Sequence, residues 1–174
     1  MSISLVLTVI GPDRPGHVDA LASAVAAHSG NWLESRMCHL GGQFAGIVRV
    51  EIPGDQEHAF RGTVKDLGLG GLQVTVTRDE AAAPAAPSRA MVLDIVGNDR
   101  PGIVRQISHA LAARSVNVEE LHTERTSAPW TGEPLFEAKL RIHLPESCTP
   151  AQLRADLEKI TSDLMVDFTL GLKA

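Results

Sequence analysis

The sequence predicts an α+β protein in which two small domains each carry a four-stranded antiparallel sheet with two helices on one face. Two observations predict this fold. A pattern of about thirty residues occurs twice along the 174-residue chain, and the same order of apolar periodicities follows each copy. An alanine- and proline-rich stretch separates the copies, so we place the domains at 1–79 and 89–174 and a semi-extended linker at 80–88.

The repeated segment is an aliphatic run that ends in a glycine turn. Gly11-Pro-Asp-Arg-Pro-Gly16 in the first half matches Gly97-Asn-Asp-Arg-Pro-Gly102 in the second, 86 positions later. The same spacing aligns Asn31 with Asn117. Chance repetition of such a turn in the same setting is improbable, so we interpret the chain as an internal duplication.

The first strand and first helix of each half follow from periodicity. Residues 3–10 and 91–96 are short and aliphatic, as expected of a central strand that a glycine turn closes. A proline then lies near the first helical position, where its missing N–H is tolerated. The predicted helix stripes are Val18, Leu21, Ala22 and Val25 in the first half and Val104, Ile107 and Leu111 in the second.

Two more strands are predicted in each half. A second strand begins at Asn31 or Asn117, just past the helix end. A third is predicted from strict alternation of apolar and polar residues over 48–52 and 136–144.

A second helix and a last strand complete each half. Asp55 is the predicted helix start in the first half. In the second half, Thr149 begins a capping-box pattern with proline at the first helical position. Last strands are predicted at 72–76 and 166–172. Because two right-handed crossovers place both helices on one side of the sheet, each half is expected to be a βαββαβ, ferredoxin-like sandwich.

The turn between the first strand and the first helix is the candidate binding site of each half. Backbone N–H groups at a helix start are unpaired and attract a carboxylate. An ammonium group needs an acceptor, which the turn aspartate supplies, and the asparagine offers a donor and an acceptor one strand over. The candidate ligand-binding residues are Gly11, Asp13, Gly16, His17 and Asn31 in the first half, and Gly97, Asn98, Asp99, Gly102, Ile103 and Asn117 in the second.

The same residue types also have structural interpretations, which stay open at the level of sequence. Asp13 and Asp99 suit helix capping. Asn31 and Asn117 suit a left-handed conformation after the helix. The glycines suit the turn whether or not a ligand binds.

The glycine turn, the asparagine, the six-element order and the duplication together resemble the ACT-domain signature. The tandem arrangement is similar to the glycine cleavage system transcriptional repressor family, and the resemblance covers essentially the whole chain. It implies amino-acid binding between two domains, with the first turn of one facing the second strand of its partner. The binding side chains of the family map onto Asp13, Asp99, Asn31 and Asn117.

The resemblance implies a non-enzymatic sensor of a small amino acid, with glycine as the first candidate. Its output would be regulation of glycine cleavage genes through a protein partner such as a transcription activator, and a homo-oligomer is expected. Two alternatives remain open. One is a detached regulatory subunit of an enzyme of amino-acid metabolism, and the other is an assembly module that binds no ligand.

Composition and motifs disfavour other classes of protein. The net charge is −5 and the basic residues are scattered, which disfavours direct binding to nucleic acid. No apolar run approaches the ~20 residues of a membrane span. Cys38 and Cys148 lie far apart, as in a reducing compartment, so we expect a cytoplasmic protein. The chain has no metal-ligand spacing or nucleophile motif, so we expect no enzyme activity, metal or cofactor.

The second half carries a longer hairpin loop than the first. The insertion of six residues falls in 126–134 and contains Trp130, whereas Gly41-Gly42 predicts a tight turn in the first half. A long loop of this kind is predicted to cover a ligand or to contact a partner. Alternatively, Trp130 packs on its own sheet.

Overall fold

The computed structural model describes residues 1–79 and 88–172. The chain divides into two compact units, Met1–Ala83 and Pro84–Ala174. Each has a four-stranded antiparallel sheet and two α-helices, which confirms the predicted fold class. The predicted linker lies outside the described residues except for Ser88, which begins a strand.

The two domains share one element order. The first contains β1 (Ser2–Pro12), α1 (His17–Ala27), β2 (Asn31–Leu40), β3 (Gln43–Pro53), α2 (Glu57–Asp66) and β4 (Gln73–Arg78). The second contains β5 (Ser88–Asn98), α3 (Ile103–Ala113), β6 (Asn117–Ser127), β7 (Pro134–Pro145), α4 (Pro150–Leu164) and β8 (Val166–Leu172). The sheet orders are β2-β3-β1-β4 and β6-β7-β5-β8. Strands β1 and β5 are therefore central, and β2 and β6 each lie at a sheet edge.

Each domain has its own apolar core between its helices and one face of its sheet. Alternate residues of the central strands point into these cores, so that Leu5, Leu7 and Leu93 are fully buried. Removal of these side chains from water is the main stabilising contribution. Among the described residues, no helix combines the length and apolar character needed to cross a membrane.

The buried face of the first helix differs from the predicted stripe. The buried residues of α1 are His17, Leu21, Ala24 and Val25, whereas Val18 and Ala22 of the same helix are exposed. In α3, Val104 of the predicted stripe is also exposed. The reason is the start of the helix. Gly16 is the N-cap residue in a left-handed conformation, so α1 begins after the proline and turns His17 toward the sheet.

The second helices of the two domains begin differently. The predicted capping box of α4 is confirmed, because the Gln152 N–H donates to Thr149 Oγ1 and the Thr149 N–H donates to Gln152 Oε1. The prediction that Asp55 starts α2 is wrong. Gly54–Gln56 form a 3₁₀ turn, and α2 begins at Glu57 without a side-chain cap. The turn is held instead by the Gly54 N–H, which donates to the Met1 carbonyl at 3.0 Å.

Glu57 joins α2 to β4 through two arginines, and this link predicts a pH dependence of stability. Hydrogen bonds from Arg78 and then Arg61 lower the pKa of Glu57 to about 2 from an ordinary value of 4.5. The unfolded chain therefore takes up this proton more readily than the folded one. The contribution to stability is fully present above pH 4.5 and is lost as the pH falls toward 2.

We expect Glu57→Gln to flatten the acid limb of the stability curve, measured as the urea midpoint between about pH 5 and pH 2. Glu146→Gln, at an exposed position that begins no helix, serves as the control and should leave that limb unchanged. Equal slopes in the wild type and Glu57→Gln would contradict the prediction.

Candidate ligand-binding site

The two glycine turns have the same backbone conformation. Gly16 and Gly102 have φ values of 98° and 95°, in the left-handed region that side chains disfavour. Their carbonyls accept the first helical hydrogen bonds, from the N–H groups of Ala20 and Gln106 at 2.9 and 3.0 Å. The turn therefore requires these two glycines for its own geometry.

The glycines that precede the turn allow neighbouring strands to approach closely. A Cβ atom on Gly97 would lie 2.6 Å from the Cα of Val166 in β8. The same atom on Gly11 would overlap the carbonyl oxygen of Gly71, just before β4. These positions thus have a clear structural role in both sheets.

The turn aspartates do not cap the helices, so the capping interpretation is wrong. Neither α1 nor α3 has a side-chain cap hydrogen bond. Asp13 Oδ2 instead lies 3.7 Å from His39 Nε2, and Asp99 Oδ2 lies 2.9 Å from Arg125 Nε. In both domains the motif carboxylate is paired with a basic side chain on the edge strand.

Backbone hydrogen bonds place the aspartates beside the edge-strand hairpin. The Asp13 N–H donates to the Gly42 carbonyl at 2.9 Å, and the Asp99 N–H donates to the Pro134 carbonyl at 3.0 Å. These contacts hold the glycine turn of each domain against one end of the hairpin. His39 or Arg125 lies at that same end. The backbone, rather than the charges, therefore determines the position of the pair.

Sequence reasoning missed the two basic partners. His39 and Arg125 stand 86 positions apart, the spacing that relates the two copies. A basic residue at the same place in each copy was the signal that could have identified them. All four side chains of the two pairs are substantially exposed, from 32% for Asp99 to 68% for Arg125. Exposed ion pairs contribute little to stability, so ligand charges can replace them at small cost.

The His17 side chain belongs to the fold rather than to the open part of the site. It is buried, its Nε2 lies 2.8 Å from the Pro12 carbonyl oxygen, and its ring lies 5.6 Å from that of Phe44. The equivalent Ile103 is also buried. The side chains of these two residues are thus part of the core, while Asn98 stands exposed at the end of β5.

The asparagines lie away from the turn of their own domain. Asn31 pairs with Glu51, whereas the hairpin end beside Asp13 begins at Gln43. Along β3, Glu51 and Gln43 are eight residues apart, which is a distance of roughly 25 Å. The structure therefore does not bring Asn31 and Asp13 together within one domain.

The left-handed interpretation of the asparagines is also wrong. Ser29 and Ser115 adopt that conformation, with φ values of 53° and 54°. Asn31 and Asn117 are the first residues of β2 and β6. The helix is already terminated before either asparagine is reached.

The inserted loop folds on itself and leaves its tryptophan in solvent. The Ala128 N–H donates to the Glu133 carbonyl and the Gly132 N–H to the Ala128 carbonyl, at 2.8 and 2.9 Å. Trp130 is 96% exposed, so the expectation that it packs on its own sheet is wrong. The equivalent turn of the first domain is tight, with both Gly41 and Gly42 at positive φ.

Comparisons with known proteins agree with this architecture. A family model described as an ACT domain matches residues 4–68. The glycine cleavage system transcriptional repressor of Escherichia coli (strain K12) is 23% identical over 161 residues, 92% of this chain and 85% of that protein. A crystal structure of an unknown protein from Galdieria sulphuraria is 30% identical, with a TM-score of 0.89 and 100% coverage of both chains.

A solved structure provisionally described as a glycine cleavage system transcriptional repressor has the same fold. Its identity is 18%, its TM-score is 0.69, and the match covers 99% of this chain and 98% of that one. The family model matches the first half of the chain, and the duplicated turn and the repeated sheet topology extend the likeness to the second half. The chain thus matches the ACT domain over residues 4–68 and is similar over most of its length to the glycine cleavage system transcriptional repressors.

Proposed function

We propose that the protein senses a small amino acid, with glycine as the first ligand to test, and signals by contact with a partner protein without catalysing a reaction. The repeated acid–base pair carries this proposal, Asp13 with His39 and Asp99 with Arg125. An amino acid has an ammonium group and a carboxylate. A carboxylate acceptor beside a basic donor is complementary to both groups.

A ligand at this position would act on the relation between the turn and the edge strand. Binding shifts a protein only when two arrangements have different affinities for the ligand. An amino acid that separates Asp99 from Arg125 replaces a direct contact by a bridged one, and so favours a different spacing of the turn and β6. The exposed edge of the sheet is then the surface whose shape depends on the ligand.

The proposed output is regulatory. The Escherichia coli relative is named as a transcriptional repressor, and the net charge of −5 favours a protein partner over DNA. We therefore propose a transcription activator of glycine cleavage genes as the partner and a homo-oligomer as the working form. Affinity capture from cell lysate tests this output. A metabolic enzyme as the chief partner would instead favour a detached regulatory subunit.

An assembly module is the second candidate, because the edge strands favour it. Every residue of β6 except Thr126 is exposed, and a free strand edge is able to extend a sheet by pairing with another chain. Such a module would need no ligand. The two candidates therefore differ in their response to amino acids.

Thermal-shift and calorimetric screening of the twenty amino acids tests the sensor proposal. A specific ligand at about 100 times its Kd stabilises the folded state by about 2.7 kcal/mol, which is seen as a raised Tm. We expect Asp13→Ala and Asp99→Ala, tested separately, to reduce this response at their own sites. The free protein should keep its Tm, because exposed pairs contribute little.

The matched control is Asp167→Ala, at an exposed position on β8, which should keep the full ligand response. Loss of stability with an unchanged response in the two aspartate variants would leave these side chains a purely structural role. No shift with any of the twenty amino acids would overturn the sensor and favour the assembly module.

A further inference from the structure

The second domain carries an apolar groove between α3 and the edge strand β6. The groove has a volume of about 220 Å³, and its walls include Val104 and Ile107 of α3 and Val118 and Leu121 of β6. Val104, Val118 and Leu121 are each 37–48% exposed. Apolar side chains therefore meet solvent along the groove, an arrangement that favours a docking surface.

In the first domain an indole occupies the equivalent place. Trp32 lies 86 positions before Val118, the spacing that relates the two copies, and it packs against the core of the first domain. The fold therefore has room for an indole here, and the smaller valine of the second domain leaves that room open. Because an apolar cavity of about 150 Å³ holds benzene, about 220 Å³ suffices for the two fused rings of an indole.

The long hairpin loop after β6 presents an indole that the described residues leave uncovered. Trp130 is 96% exposed. Two backbone hydrogen bonds hold the loop around it, from the Ala128 N–H to the Glu133 carbonyl and from the Gly132 N–H to the Ala128 carbonyl. A tryptophan held in this way is typical of an interface anchor, because little loop freedom remains to be lost on binding.

Trp130 cannot reach the groove of its own domain. It lies beyond Ser127, the last residue of β6, which is nine residues and roughly 30 Å from Val118 along the strand. A two-fold axis near the middle of β6 exchanges the two ends of this strand between two copies. The axis thereby brings the loop of each copy to the groove of the other.

The charges beside the loop and the groove are complementary. Glu133 is the one ionisable residue of the loop from 126 to 134. Arg105 follows Val104 in α3, and its carbonyl accepts a hydrogen bond at 3.1 Å from Ser108 in the groove wall. Both charged side chains are exposed, and neither has an ion pair within the described part of the chain. Both are therefore available to a second copy.

We propose that a second copy of this chain docks on the groove, with the Trp130 indole of each copy in the groove of the other and Glu133 beside Arg105. Two indoles that each bury about 200 Å², with a similar area of groove wall, give about 800 Å² before the flanking strands are counted, which is below the standard size of a stable interface. We therefore expect a reversible dimer with a Kd in the micromolar range. This inference rests on the proposed homo-oligomeric form.

Sedimentation velocity of the full chain over a dilution series from about 1 to about 100 μM tests the inference. Trp130→Ala removes the anchor and should raise the dimer Kd at least about tenfold. Val118→Trp fills the groove from within, as Trp32 does in the first domain, and should have the same effect. The matched control is Leu40→Ala, at an 80% exposed position at the hairpin end of the first domain, which should leave the Kd within about twofold.

Charge reversal tests the same contact without altering the groove. Glu133→Lys should weaken the dimer about tenfold, because it places a positive charge beside Arg105. The double variant Glu133→Lys with Arg105→Glu should restore the wild-type Kd. Both positions are exposed, so these variants stay informative even where Val118→Trp fails to fold.

The outcomes separate this interface from the homo-oligomer itself. A dimer whose Kd is unchanged in Trp130→Ala would overturn the inference and leave a homo-oligomer with its interface elsewhere. Loss of the dimer in Trp130→Ala but not in folded Val118→Trp would overturn the groove as the place of the indole. A wild-type chain that stays monomeric throughout the series would remove both the interface and the homo-oligomer. Amino-acid sensing is independent of these results and is tested by the thermal-shift screen.

Discussion

Gly97→Ala should destabilise the second domain by about 3 kcal/mol or more, because overpacking here involves backbone that cannot simply rotate away. Gly97 lies directly opposite Val166 in the β5–β8 pairing. The added Cβ would lie 2.6 Å from the Val166 Cα and 2.5 Å from its Cγ1. The two strands would have to separate locally, and the central strand would lose hydrogen bonds to its neighbour. Urea unfolding followed by far-UV circular dichroism measures the change.

Gly171→Ala is the matched control on the same pair of strands. A Cβ at Gly171 meets no heavy atom within 4 Å, so the change should stay within about 0.5 kcal/mol of the wild type. Equal losses at both positions would show that close strand approach is not what requires Gly97.

Phe60→Ala should destabilise the first domain by about 3–5 kcal/mol, through lost burial and the cavity that remains. Phe60 is a fully buried aromatic residue of α2, at 0% exposure. Its ring meets that of His28 edge to face at 5.7 Å, and His28 Nε2 lies 2.9 Å from Thr63 Oγ1 on the same helix. The truncation therefore also loosens the contact between the end of α1 and α2.

His58→Ala, on the exposed side of α2, separates loss of core packing from a change in helix propensity. It should alter the free energy of unfolding by no more than about 0.5 kcal/mol. If Phe60→Ala proved equally mild in the same denaturant titration, the core of the first domain would not depend on this ring.

The order of the elements was predictable because the strands carry their burial pattern in local sequence. The residues from Phe136 to Leu144 alternate because β7 has one face on the core and one in solvent. The phase of α1 was not predictable in the same way. It depends on Gly16 adopting a left-handed conformation, which moves the start of the helix to His17. The start of α2 depends likewise on a bond from Gly54 to the distant Met1.

The turn aspartates could be proposed as site residues from sequence, but the side chains that they contact could not. The repeated turn identified Asp13 and Asp99 from sequence alone, because two copies of one motif are conspicuous. Whether each aspartate caps its helix or faces another strand depends on the return of the edge-strand hairpin, which is a tertiary relation. For the same reason, the distance between Asn31 and the turn could not be inferred without the strand register.

The chain contains two tryptophans and no tyrosine, and the fold gives the two indoles opposite surroundings. Trp32 packs against the core of the first domain, whereas Trp130 is 96% exposed at the tip of a loop in the second. Ultraviolet emission therefore comes from one shielded and one hydrated fluorophore, which a water-soluble quencher will distinguish. In a Trp130→Phe chain, tryptophan fluorescence would come from Trp32 alone. The spectrum would then report changes in the first domain without a tryptophan contribution from the second.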